Sequence, residues 1–303
     1  MAPPEIADCL FNLDDAIVIG ADPWLDRCLD HPEDVAVDET GVIYAGGEAG
    51  QLYRIDRTSE TFTELAATEG FVLGVEIGPD GDLYACDFQQ HAVFRLPLGD
   101  DRPAGSLEAV VRGGPDQRPL HPNYCAFDEA GRLFVSDSGY RRKLPGPFDD
   151  SDGCLYAVNP DGTERVLTTE PAAFPNGLAI SKDGSTLYVC ETGTRVVTAI
   201  HLDDGEVTDS EVITDECGMV DGLALDVNDR LYVASIGDNA IYRVADDEVE
   251  PLIADPEGQL INNPTNVAFG GPDMRTLYIA NLGLAHITAI EIDATGRHPT
   301  GRA

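Results

Sequence analysis

One phrase recurs six times along the chain. A short apolar strand, a polar and usually Gly-containing turn, and a second strand reading Leu-Tyr or similar appear as EDVAVDETGVIYAG from Glu33, LGVEIGPDGDLYAC from Leu73 and NYCAFDEAGRLFVS from Asn123. They return as NGLAISKDGSTLYVC from Asn176, DGLALDVNDRLYVA from Asp221 and TNVAFGGPDMRTLYIA from Thr265, the first residues lying 40, 50, 53, 45 and 44 positions apart. A period in the forties with two-residue alternation predicts a propeller blade. Solenoids of similar period need helices, and helical periodicity is missing: β-branched and aromatic residues fill the apolar positions, and D-E-T-G, P-D-G and K-D-G punctuate them as hairpin turns. QLYRID, AVFRLPL, CLYAVNP, VVTAIHL, AIYRVA and HITAIEID read as third strands. The expected fold is all-β, a six-bladed β-propeller of four-stranded antiparallel blades around a central channel, one domain over residues 1–303. A closed ring leaves no exposed sheet edge, so the chain ends must meet within it. The DDAIVIG stretch around Ile17 to Gly20, within the N-terminal segment 1–30, is expected to supply the outer strand of the last blade.

Alignment of the phrases puts Glu33, Leu73, Asn123, Asn176, Asp221 and Thr265 in one column that opens the innermost strand of each blade. In a propeller such positions converge around the central channel on one face. Pro32, Pro122, Pro175 and Pro264 precede the column in four blades, and each restricts the backbone entering the inner strand. Asn and Asp are common turn caps, and a polar channel lining is ordinary. Four oxygen-bearing residues in register, Glu33, Asn123, Asn176 and Asp221, point further, to a metal site. Two carboxylates and two amide oxygens, without sulfur or imidazole, suit a divalent hard cation. Calcium is favoured because the ring leaves flexible positions for water and substrate; Mg2+, Mn2+ and Zn2+ are the alternatives. Leu73 and Thr265 leave one side of the ring open.

The formal charge is 19 − 55 = −36, with only two lysines, Lys143 and Lys182. Such a surface repels phosphate backbones and anionic lipid, so neither nucleic acid nor membrane is an expected partner. Lysine scarcity beside acids spread along the whole chain reads as adaptation to high salt. MAPPEIADCL has neither a basic nor a continuous apolar segment, and a cytoplasmic location is expected. Among seven cysteines no CxxC pair occurs; Cys86, Cys125, Cys154 and Cys190 sit in apolar strand patterns as small buried groups. Cys9 and Cys28 leave a pairing open.

HPEDVAVD, HPNYCAFD, FPNGLAISKDGSTLYVCETG, MVDGLALD and PTNVAFGGPDMRTLYIAN resemble the gluconolactonase, regucalcin and luciferin-regenerating-enzyme family of six-bladed propellers. The resemblance covers nearly the whole chain beyond residue 30 and extends to strictosidine-synthase-like proteins. It implies a catalytic divalent ion, often calcium, held by Glu33, Asn123, Asn176 and Asp221. Two departures stand out. Asn123 is followed by Tyr124 where many lactonase relatives carry Asp, and Glu76 stands where the other blades have Ala.

A metal held by oxygens acts as a Lewis acid on a lactone carbonyl or a phosphoryl oxygen. Asp221 is the expected general base or nucleophile. Glu76, Tyr124, Arg141, Arg142 and Asn266 are candidate substrate contacts. Arg141, Arg142 and Lys143 form the densest basic run, inside the long insertion from Gly139 to Gly153, where pairing with Asp149, Asp150 and Asp152 is the plainer role. His31 and His121 lie two residues before ligands and are placed either as proton shuttles or in loop packing. The expected function is a metal-dependent hydrolase opening a sugar lactone or related ester. The alternatives are a phosphotriesterase, a strictosidine-synthase-like activity, or a non-enzymatic sensor with a structural ion. The charge carries its own expectation: dialysis from molar to millimolar salt lengthens the screening distance from about 3 Å to tens of ångströms. The circular-dichroism strand signal or its melting temperature then drops, and unchanged stability would remove the high-salt reading.

Overall fold

The computed structural model describes residues 3–22, 27–57, 61–99, 103–113, 121–139, 151–246 and 248–297. Six four-stranded antiparallel sheets follow one another along the chain, and among the described residues the helical segments are two short 3-10 turns, Ile6–Asp8 and Leu13–Asp15. The innermost strands are Val35–Val37, Val72–Ile77, Pro122–Phe127, Pro175–Ile180, Val220–Leu225 and Pro264–Gly270, for blades one to six. In blades one to five the strands run outward in chain order. In blade six the fourth strand comes from the other end of the chain: Ile17–Ile19 pairs antiparallel with Ile287–Glu291, Ile17 opposite Ala289.

The core is divided among the joints between blades. Tyr124, Ala126, Phe134 and Leu155 of blade three pack on Leu178, Leu187, Val189 and Ile200 of blade four. Blade six likewise meets blade one, with Tyr278, Ala280 and Ile287 against Val35, Ile43 and Ile55. Each blade buries its apolar residues only by lying face to face with two neighbours. The first hairpin turns are closed by acids from the D-E-T-G type phrases. Asp38, Asp128 and Asp226 accept the backbone N–H groups of Val42, Arg132 and Arg230 at 3.0, 2.8 and 3.1 Å.

Near the axis the inner strands crowd. A Cβ on Gly177 would lie 2.5 Å from the Cα of Gly222; one on Gly222 would lie 2.1 Å from Asn266 Oδ1 and 2.5 Å from the Thr265 carbonyl. One on Gly74 would lie 2.5 Å from the Asn123 carbonyl. The glycines after the ligand column in blades two, four and five are therefore demanded by contact between neighbouring backbones.

The buried cysteines 86, 125, 154 and 190 occupy the apolar strands. Cys9 packs against the joint between blades four and five, whereas Cys28 is exposed in the small hairpin of Ala21–Asp22 and Arg27–Cys28. Gly222→Ala must push two backbones apart and is expected to cost about 1–3 kcal/mol. Denaturant unfolding measures it, and a change below a few tenths would refute the crowding.

Candidate functional site

The column of Glu33, Leu73, Asn123, Asn176, Asp221 and Thr265 is set by a recurring irregularity. In blades three, four and five the inner strand pairs with its neighbour at Pro122↔Asp137, Pro175↔Glu191 and Val220↔Ser235. Pairing resumes at Cys125↔Val135, Leu178↔Val189 and Leu223↔Val233. Three inner-strand steps thus face two on the partner, so one extra residue is accommodated and the chain bulges at Asn123, Asn176 and Asp221. Blades two and six bulge at Leu73 and Thr265. A bulge twists the strand locally and re-aims the side chain it carries. In blade one Glu33 and Asp34 precede the strand.

The structure gathers Glu33, Asn176 and Asp221 electrostatically. Burial pushes the Glu33 carboxyl well above the usual range, and the charges of Asp221 and Glu48 push it further. Asp221 is raised by burial and by Asp34, and lowered by a hydrogen bond from Asn176. Asn123, Asn176 and Asp221 are all buried, while Glu33 keeps partial contact with solvent. Both amides are anchored by hydroxyls: Asn123 Nδ2 donates to Ser138 Oγ at 2.8 Å, and Asn176 Nδ2 to Thr192 Oγ1 at 3.1 Å. Thr265 Oγ1, in the same column, is buried without a hydrogen-bond partner among the described residues.

One step deeper, the residues that are not glycine form a layer across the channel. Asn266 Nδ2 donates to Asp34 Oδ1 and, at 3.0 Å, to the Tyr124 hydroxyl. Asp34 also accepts the N–H groups of Val35 and Val75, each at 2.6 Å. Its carboxyl is nevertheless held well above the usual range by burial, with Glu76 adding repulsion. Below this layer lies a cavity of about 140 Å³, room for several waters. Glu76, Tyr124 and the ring of Ala36, Ala126, Ala179, Ala224 and Ala268 line it. Arg297 lies at its far end, both guanidinium nitrogens bonding the Ile180 carbonyl at 2.8 Å. Burial raises Glu76 to about 8, its Oε1 accepting only the Ile77 N–H among the described hydrogen bonds.

Tyr124, Glu76 and Asn266 thus lie in the channel beneath the ligand column. Arg141 and Arg142, with Lys143, fall outside the described residues. His31 is exposed, its Nδ1 3.3 Å from Asp30 and 3.4 Å from Glu48. Asp30, His31 and Glu48 form a cluster of metal-binding types, which through Glu48 adds its charge to Glu33. His121 is buried against the rings of His91 and Phe88, at 4.7 and 5.2 Å. Sequence reasoning missed Asp34, Ser138 and Thr192. Asp34 differs from the glycines that follow the column in three other blades, and the two hydroxyls follow a second strand only in the Asn blades; both were signals on offer.

A family model for the SMP-30/gluconolactonase/LRE-like region matches residues 48–282, and a strictosidine-synthase-like N-terminal model matches residues 28–55. A pentonolactonase, XacC, of Haloferax volcanii is 28% identical over 252 residues, covering 81% of this chain and 79% of its own. A luciferin-regenerating enzyme superposes with a TM-score of 0.75 at 21% identity, covering 94% and 99% of the two chains. A calcium-binding regucalcin of Agrobacterium tumefaciens does so with 0.72 at 20% identity, covering 91% and 95%. These likenesses agree on the six-bladed fold. No helix among the described residues is long and apolar enough to cross a membrane.

The buried carboxyls make stability depend on pH. Glu76 has a folded pKa of about 8, above its unfolded value of 4.5. Its favourable contribution is therefore complete below the unfolded value and is lost as pH rises through the folded one. The chelator-treated protein is expected to melt at a progressively lower temperature from pH 5.5 to 8, and less steeply in Glu76→Gln. Calorimetry showing the same slope in both proteins would exclude Glu76 as a source.

Proposed function

The chain belongs to the SMP-30/gluconolactonase/LRE-like family, and on that premise we propose that it is a divalent-ion-dependent lactonase opening a sugar lactone or related ester. The observation that carries this reading is the anchoring of Asn123 and Asn176 by their amide nitrogens, which leaves the two amide oxygens as the unclaimed ends. With the Glu33 and Asp221 carboxylates they make an all-oxygen donor set of formal charge −2, suited to calcium. The raised carboxyls of Glu33 and Asp221 fit the same role, since buried like charges are relieved by a cation between them. The unpartnered Thr265 hydroxyl leaves a further oxygen for water or substrate.

When bound, the ion supplies Lewis acidity that polarises the ester carbonyl as negative charge develops. Glu33, Asn123 and Asn176 hold the ring in place. Asp221, through an oxygen not needed for holding the ion, takes a proton from the attacking water and returns it to the ring oxygen as the acyl C–O bond breaks, or attacks the carbonyl itself to give an acyl-enzyme that water then hydrolyses. Substrate approaches from the side of Leu73 and Thr265, where no charged ligand stands. Arg141 and Arg142, in the insertion of blade three, attract an anionic group of the substrate. The Asp34, Tyr124 and Asn266 layer closes the channel side behind the reacting centre. The sugar-lactone class draws support from the pentonolactonase relative.

In a pH-stat assay on a panel of aldonolactones at high salt, acid release is expected to be abolished by chelator and restored by calcium. Asp221→Asn is expected to lose about 100-fold or more in turnover while calcium binding, followed by calorimetry, largely persists. An active Asp221→Asn enzyme would refute its role; a silent panel with retained ion would make the ring a structural site instead.

A further inference from the structure

A carboxamide has two ends of nearly equal size and opposite chemistry: an oxygen that binds a hard cation and an NH2 that repels one. Nothing in the Asn side chain itself decides which end faces the axis. In blade three Ser138 decides it. The Ser138 hydroxyl has one proton, and that proton is committed to the Pro175 carbonyl at 2.8 Å. Toward Asn123 it therefore offers only a lone pair, which an N–H satisfies and a carbonyl oxygen does not. Blade four repeats the device. Thr192 donates to the Val220 carbonyl at 2.9 Å and accepts from Asn176 Nδ2 at 3.1 Å, and the Asp221 carboxylate accepts from the same amide and so favours the same orientation.

The chain holds its own control. Counting three residues beyond the second-strand partner of the residue two past the column gives Glu48, Phe88, Ser138, Thr192, Ile236 and Leu282 for blades one to six. In blades two to six this residue donates its backbone N–H to the carbonyl two positions before the ligand column, so the sites are equivalent. A hydroxyl stands there only where the column holds an amide. For Asp221, whose two carboxylate ends are alike, the equivalent position holds Ile236; for Leu73 and Thr265 it holds Phe88 and Leu282.

The accepting carbonyls add a second function. Pro175 and Val220 immediately precede Asn176 and Asp221. Each hydroxyl thus ties the amide of one blade to the peptide that carries the next blade's ligand. The run Asn123, Ser138, Pro175–Asn176, Thr192, Val220–Asp221 couples three adjacent blades through hydrogen bonds that are all buried.

We propose that Ser138 and Thr192 are positioning residues that set which end of the Asn123 and Asn176 amides faces the ring and so preorganise it for a cation. This rests on the reading that the ring holds a divalent ion. The test titrates calcium chloride into chelator-treated full-length protein by calorimetry at high salt. Ser138→Ala and Thr192→Val are each expected to weaken calcium about 10- to 100-fold, the range for lost outer-shell partners of a metal site. Ser138→Thr and Thr192→Ser keep the hydroxyl and should stay near wild type. The decisive readout is the Asp background. In Asn123→Asp there is no NH2 end to place, and the Ser138 lone pair faces a carboxylate. There Ser138→Ala should leave affinity unchanged or raise it. Asn176→Asp with Thr192→Val supplies an independent copy of the test should one pair fail to fold. Equal losses in the Asn and Asp backgrounds, or full affinity in both hydroxyl-deleted variants, would overturn the proposal. A wild-type protein that binds no calcium would overturn the ion reading itself, and the positioning role with it.

Discussion

Six inner strands converge on one axis with no room to spare, and the rest of the molecule follows from that crowding. Where two backbones meet within the reach of a Cβ, the chain uses Gly74, Gly177 and Gly222. The room those glycines leave is taken by Asp34, Tyr124 and Asn266 from the other three blades, joined by hydrogen bonds around Asn266. The channel acquires a cross-layer without adding an element to the fold. Above it the bulged strands present oxygen; below it a ring of alanines leaves space around a single carboxyl, Glu76.

The electrostatics run in two regimes. On the outside, the excess of acids lies in water and is screened by salt. On the axis, Glu33, Asp34, Glu76 and Asp221 are withdrawn from water, and each is pushed toward its protonated form by burial before any neighbour acts on it. Among the described residues, burial and neighbouring acids dominate the push on these four carboxyls. The nearest compensation comes from backbone N–H groups and amides, which lower the carboxyls only in part. An uncompensated group of acids on an axis is the electrostatic shape of a cation site.

Much of this was legible in the sequence because propeller repeats are local. The phrase, its period and its turns specify the blades, and the register of the column follows from alignment alone. Glu33, Asn123, Asn176 and Asp221 could be named together for that reason. What the alignment hid was contact between blades. Glycines after the column read as turn or strand residues until their neighbours across the joint are known. Asp34 belongs to no motif in the sequence, yet it is buried and accepts the Val75 N–H of the next blade. Ser138 and Thr192 are fifteen and sixteen residues from the amides they hold, just past the second strand of the blade, and their significance lies in where their single proton goes. The cavity around Glu76 depends on five alanines, each unremarkable in its own strand.

The pairing of Ile17–Ile19 with Ile287–Glu291 makes the two ends of the chain partners in one sheet. During synthesis the N-terminal strand emerges first and must wait for nearly the entire chain before it finds its place. Closure of such distant segments is slow, so the open ring has a lifetime. Blades one and six meet at Val35 and Tyr278. Glu33 lies on one side of that joint, while Asn123, Asn176 and Asp221 come from blades three, four and five. The column of Glu33, Asn123, Asn176 and Asp221 is therefore complete only in the closed ring. Anything it binds adds its free energy to the closed form alone, acting as a latch on the seam.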